Sequence, residues 1–230
     1  MLYLTLKIGL TLYKKIKFLL NQKMFDIYLK HPFTMLIAGP TGSGKTQWVK
    51  RLINQSEKIC SPPPTRITYF YGEYQKAFDD LPVNLVKGLP ENLIEKIDGA
   101  NPEWIIIDDL MHETSNSKFV SELFTKGSHH RNISIILIVQ NLFVKGNESR
   151  NISLNSQYMV LFKNPRNQVI GSTIARQIYP SKVAKFQSIF EDATRKPYSY
   201  LFIDMKPDTP IEVRLLTNVL NEGLMYAYVI

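Results

Sequence analysis

Cysteine is almost missing from this chain: in 230 residues Cys60 stands alone. A single thiol excludes an internal disulfide framework and suits a reducing compartment. Histidine is scarce as well, at four residues. The adjacent pair His129-His130 has no second His, Cys or Asp cluster to complete a zinc site, and neighbouring residues seldom ligate one ion on regular structure. Acids are outnumbered, 20 against 28 Lys and Arg, which leaves a net charge of +8. That balance favours polyanionic partners, nucleic acid ahead of an anionic membrane. Internal repeats, low-complexity tracts and a linker marking a second folded domain are all lacking.

Long apolar runs are lacking too. A membrane-spanning helix needs about 20 mostly apolar residues. The nearest contender, residues 1–23, is interrupted by Lys7, Lys14, Lys15, Lys17 and Lys23 and contains no acid. It also lacks the charge-first order and small-residue cleavage site of a signal peptide. Stable membrane insertion is therefore not expected. The segment reads as a basic amphipathic arm, or as an extension upstream of a working start at Met24. Residues 24–230 are expected to form one domain.

What is present is a loop of unusual specificity. Gly39-Pro40-Thr41-Gly42-Ser43-Gly44-Lys45-Thr46 fits G-x-x-x-x-G-K-[ST] at every fixed position. The apolar run before it, Phe33 to Ala38, predicts a buried strand, and Gln47 to Ile53 predicts a helix start. Such glycines let successive backbone N–H groups turn inward on a phosphate, next to the positive end of a helix. Lys45 can then reach the β- and γ-phosphates, and the Thr46 hydroxyl can ligate Mg²⁺.

Further apolar strands are expected at Arg66–Tyr71, Trp104–Ile107, Ser134–Val139 and Tyr158–Phe162. Helices are expected near Phe119–Phe124 and, in two pieces divided by Pro180, over residues 167–195. Continuous apolar strands alternating with helices predict an α/β fold with a parallel sheet covered on both faces. Two more strands are expected at Tyr200–Ile203 and Ile211–Arg214.

The strand at Trp104 delivers Asp108 to its C-terminal end, where the loop also lies. This is the form of a Walker B segment, with Asp108 a candidate Mg²⁺ ligand. Asp109 follows, where many ATPases of this layout carry glutamate. It is the candidate general base, with Glu113 as the alternative. Gln140, ending the strand through Val139, is placed to sense the γ-phosphate. Arg131 and Arg150 flank that strand and are candidates for an arginine finger given to a neighbouring subunit.

Several longer strings carry a resemblance. Lys30-His31-Pro32-Phe33, Tyr71-Gly72-Glu73-Tyr74-Gln75, His129-His130-Arg131-Asn132-Ile133-Ser134, Phe162-Lys163-Asn164-Pro165-Arg166 and Asp192-Ala193-Thr194-Arg195-Lys196-Pro197-Tyr198 resemble the DNA-packaging ATPases of the FtsK–HerA superfamily. The branch is the poxvirus-type one of Maverick/Polinton elements, adintoviruses and related large DNA viruses. The resemblance covers roughly Lys30 to Arg214. It implies an ASCE-type, RecA-like P-loop core arranged as a three-layer sandwich, and ATP and Mg²⁺ as cofactors. It implies a homo-oligomeric ring on double-stranded DNA, and translocation into a capsid through capsid or portal-vertex proteins. The expected location is inside an infected host cell or with the virion. Asp109 departs from the family's usual glutamate, and the arm has no family counterpart. The alternatives from the residues alone are a small-molecule P-loop kinase and a nonhydrolysing nucleotide switch.

Overall fold

In the computed structural model, residues 2–8, 11–19, 29–90, 93, 97, 99–110, 114–127, 131–142, 147–220 and 224–230 are described. Their strands, in chain order, are β1 (Leu2–Ile8), β2 (Thr11–Leu19), β3 (Leu29–Lys30), β4 (Thr34–Ala38), β5 (Cys60–Ser61), β6 (Arg66–Tyr71) and β7 (Asn84–Lys87). The later ones are β8 (Glu103–Asp108), β9 (Ile133–Val139), β10 (Tyr158–Phe162), β11 (Tyr200–Asp204), β12 (Leu215–Thr217) and β13 (Leu224–Val229). The chain divides into two compact units, one of residues Ile27–Ala38 and Lys45–Tyr158, the other of Met1–Asp26, Gly39–Gly44 and Met159–Ile230.

The first unit is built on strands in the order β4-β9-β8-β6-β7, with every neighbouring pair parallel. Its sequence explains the arrangement. All residues of β4 and β8 are buried, as a parallel strand covered on both faces requires. The register sets Ala38 opposite Val139 and Asp108 opposite Ile138. The ends of β4, β8 and β9 therefore line up at one edge of the sheet. Helix α1 (Lys45–Asn54) buries Trp48, Val49, Leu52 and Ile53, one face at i, i+1, i+4, i+5. The half-exposed strand β7 closes the far edge; its short Asn-Leu-Val-Lys sequence carries too little alternation to predict it.

His31 fastens the entrance to this sheet. Its Nδ1 accepts a hydrogen bond from Ser134 Oγ at 2.6 Å, and Ser134 Oγ accepts one from the Phe33 N–H at 3.1 Å. The other ring nitrogen, Nε2, faces the Asn132 backbone O and Oδ1, both at 3.0 Å. With Nδ1 accepting, the proton belongs on Nε2. Two of the resemblance strings, a hundred residues apart, are thus one clasp across β4 and β9.

In the second unit the strand order is β1-β2-β13-β12-β11-β10. The pairs β1·β2, β2·β13, β13·β12 and β12·β11 are antiparallel. The basic N-terminal segment, read from sequence as an arm, contributes β1 and β2. The helices Ile170–Ile178 and Val183–Ala193 flank a single turn at Pro180–Lys182. Ile211–Val213 is a 3-10 turn rather than a strand, and the strand begins at Leu215. Pro210 precedes the turn, and Arg214 Nη2 holds it by donating to the carbonyls of Thr209 at 2.8 Å and Lys206 at 3.1 Å. Among the described residues no helix is long and apolar enough to cross a membrane.

Candidate nucleotide site

The loop Gly39–Gly44 is a tight turn, with the Ser43 N–H donating to the Pro40 carbonyl at 3.1 Å. Glycine is required in it for two separate reasons. Gly42 and Gly44 have φ of +77° and +102°, which side chains disfavour. At Gly39 the reason is space, since a Cβ there would lie 2.6 Å from Phe162 Cβ and 2.8 Å from Ser43 Oγ. Ser43 Oγ is buried without a hydrogen-bond partner. An orphaned hydroxyl on such a glycine-rich turn is what a phosphate oxygen would satisfy.

In chain order the loop runs straight into Lys45, the first residue of α1. Burial lowers the pKa of the Lys45 ammonium, while the carboxylates of Asp108 and Asp109 pull it the other way. Both acids thus act on the charge of the lysine. Asp108 closes β8 and is 7% exposed. Burial raises its pKa and Asp109 adds to the rise; the Tyr69 hydroxyl and Lys45 oppose it. Tyr69 donates to Asp108 Oδ2 at 2.7 Å, which leaves Oδ1 as the oxygen for a cation.

Asp109 takes a different backbone course. Its φ is +57°, the left-handed region that Asp tolerates better than most residues. Its N–H donates to the Ile138 carbonyl at 3.2 Å. The turn sets its carboxylate against Gln140, whose Nε2 donates to Asp109 Oδ2 at 2.7 Å. An ionised carboxylate only accepts, so the amide orientation follows from the pairing. Lys45, Asp108, Asp109 and Gln140 are brought together.

The residues present fit Mg²⁺. The carboxylate of Asp108 and the hydroxyl of Thr46 are hard oxygen donors, and among the described residues no group of three or more His, Cys, Asp or Glu offers a competing cage. Mg²⁺ prefers such a sparse protein set, completed by water and phosphate.

The arginines lie elsewhere. Arg131 stands two residues before β9 begins and Gln140 just after it ends, so they mark opposite ends of one strand. Arg131 Nη1 donates to the Ile97 carbonyl at 3.5 Å. Arg150 is exposed on the helix Asn147–Leu154. Neither joins the cluster around Asp109. Glu113, His129 and His130 lie outside the described residues.

Sequence reasoning missed Tyr69. The signal was available: Ile67, Tyr69 and Tyr71 share one face of β6, and Tyr69 brings a hydroxyl to it beside the strand that ends in Asp108. It also gave no role to Tyr198, which closes on Gly44; a Cβ on Gly44 would lie 3.3 Å from the Tyr198 ring.

The fold has clear counterparts among solved structures. The genome packaging NTPase B204 of Sulfolobus turreted icosahedral virus 2, solved with ATP-gammaS, superposes with a TM-score of 0.50 at 14% identity, over 77% of this chain and 94% of that one. This is the fold of P-loop ATPases. The cytoplasmic domain of the type VII secretion ATPase EccC from Thermomonospora curvata also matches, with a TM-score of 0.50 at 11% identity. That match takes in 85% of this chain and 25% of EccC. No family model matches the sequence, and no curated protein does.

Proposed function

We propose that this protein is an ATP-hydrolysing motor that moves double-stranded DNA and packages the genome of a virus or virus-like element. One observation carries the catalytic half: Lys45, Asp108, Asp109 and Gln140 meet at one sheet edge, with Gln140 bound to Asp109. The fold it shares with a viral packaging NTPase supports the rest of the reading, together with the net charge of +8.

In this reading the backbone of Gly39–Gly44 and the Lys45 ammonium bind the phosphates. Thr46 and Asp108 would hold Mg²⁺, which would supply charge neutralisation at the phosphoryl oxygens. Asp109 orients the attacking water and accepts its proton, and Gln140 fixes the angle of that carboxylate. Tyr69 keeps Asp108 turned toward its ligand. A neighbour's arginine, Arg131 first and Arg150 second, stabilises the charge on the transferring phosphoryl group. The subunits form a homo-oligomeric ring on duplex DNA, inside the infected cell, and dock on capsid or portal-vertex proteins.

The test is ATP turnover by the purified protein with and without duplex DNA. The motor reading expects Mg²⁺-dependent turnover that duplex DNA stimulates and rising salt suppresses, since bound lysines and arginines displace counterions. Turnover indifferent to DNA but dependent on a small acceptor would make it a kinase. Tight binding with no turnover would make it a switch.

A further inference from the structure

We infer that the cavity beside Gly42 and Ser43 receives the base of the nucleotide, stacked on Tyr198, and that it accepts adenine and guanine nucleotides alike. The inference rests on the nucleotide site proposed above. The cavity has a volume of about 400 Å³ and is formed between the phosphate loop, the turn after β10 and the turn before β11. Ligand sites of this kind commonly hold about 300–1,000 Å³, so a base with its ribose fits.

Its wall is suited to a flat, polar ring. Tyr198 is 72% exposed, yet its backbone is held at φ +61°. A bulky residue rarely adopts that conformation, and such strain is kept where the surrounding structure enforces it. The ring lies against Gly44, where a Cβ would stand 3.3 Å from it, a tight contact. It is a large aromatic face that is fixed in place and left open. Buried Phe162 closes the floor of the cavity.

The polar groups of the lining are one-sided. Lys163, Arg195 and Lys196 supply donors, and among the described lining residues there is no carboxylate or amide side chain. The hydroxyls of Thr194 and Ser199 already donate to the carbonyls of Phe190 at 2.7 Å and Lys196 at 2.6 Å. Arg195 is positioned from below: Asp192 Oδ1 lies 3.4 Å from its Nη2, and Tyr228 donates to Asp192 Oδ2 at 2.7 Å. Lysine and arginine can serve the ring acceptors N7 and O6 of guanine or N7 of adenine. Strong selection between the bases would need a carboxylate or an oriented amide, which accepts from the adenine amino group and is left unpaired by guanine O6. Neither is among the described lining residues, the hydroxyls of Ser43, Thr194, Tyr198 and Ser199 can donate as well as accept and so distinguish the two poorly, and stacking tolerates any base.

The experiment is calorimetric titration of the full chain with ATP, GTP and inorganic tripolyphosphate, all with Mg²⁺. Wild type, Tyr198→Ala and Tyr198→Phe are compared. ATP and GTP should bind wild type within about tenfold of each other, because no lining group separates them. Tyr198→Ala should weaken both by roughly tenfold and leave tripolyphosphate unchanged, and Tyr198→Phe should restore them. Equal ATP affinity in Tyr198→Ala and wild type overturns the inference while leaving the nucleotide site intact. So does an equal loss for tripolyphosphate, or a preference of wild type for ATP beyond about a hundredfold. If Tyr198→Ala keeps ATP but loses duplex DNA, the cavity is a DNA contact and the inference fails. If wild type binds neither nucleotide nor tripolyphosphate, the proposed function fails with it.

Discussion

Gln140 donates through Nε2 to Asp109 Oδ2 at 2.7 Å, and so joins the end of β9 to the acid that follows β8. The two side chains act as one unit. Asp109→Asn should keep nucleotide bound and slow hydrolysis by about 10²-fold, the low end for a lost general base. Asn suits the test because it accepts φ +57°, whereas Ala would add strain. Gln140→Ala should also slow hydrolysis. The double variant should be no slower than the worse single one, since coupled residues are not additive. Steady-state turnover with saturating ATP reads this. Full additivity would show that the contact plays no part in catalysis, and normal turnover in Asp109→Asn would move the base to Glu113.

Tyr69 gives a second prediction. Removing its hydroxyl takes one hydrogen bond from a buried carboxylate without emptying the core. Tyr69→Phe should raise the Mg²⁺ concentration needed for half-maximal turnover by about tenfold, the lower range for a lost partner of a metal ligand. Turnover at saturating Mg²⁺ should change far less. A Mg²⁺ titration with an unchanged midpoint would contradict the positioning role.

The glycine loop pattern, the buried parallel strands and the acid that closes β8 were legible because each is local. A glycine pattern, an apolar run and an acid at its end are all read along the chain. Tyr69, the His31 clasp and the Tyr198 wall were not, since each depends on strand register or on a turn reaching a distant element. The N-terminal segment shows the same limit. Its lysines suggested an amphipathic arm, whereas register pairs Lys14, Lys15 and Lys17 with Val229, Tyr228 and Tyr226 of β13. Ile211–Val213 was misread for a further reason: its β-branched residues suited a strand, but Pro210 and the Arg214 side chain hold a turn.

His31 makes stability depend on pH. Burial lowers its pKa below 6.5, against hydrogen bonds to Asn132 that raise it. The folded state therefore binds this proton less readily than the unfolded chain. Stability from the clasp is fully present above pH 6.5 and is lost as pH falls through the depressed folded value. Urea unfolding at a series of pH values should show this decline just below 6.5, and His31→Gln should remove that part of the slope. An identical slope in wild type and variant would contradict it.

Action in trans can be read by mixing inactive variants. Arg131→Ala should bind ATP normally and lose about 10³-fold in turnover, the low end for an arginine finger. Lys45→Ala should lose turnover at its own site while still offering its arginine. Together they should recover partial activity. Arg150→Ala is the parallel arm, and rescue by that mixture alone would transfer the role to Arg150. No rescue in either co-assembled mixture would refute both assignments.

The central claim is that hydrolysis at the Lys45–Asp109 site drives movement along duplex DNA. Displacement of a triplex-forming strand from duplex DNA measures that movement directly. Wild type with ATP and Mg²⁺ should displace the strand, and Lys45→Ala or Asp109→Asn should not. Displacement that proceeds equally in Lys45→Ala, or a wild type that hydrolyses ATP without ever displacing the strand, would contradict the account.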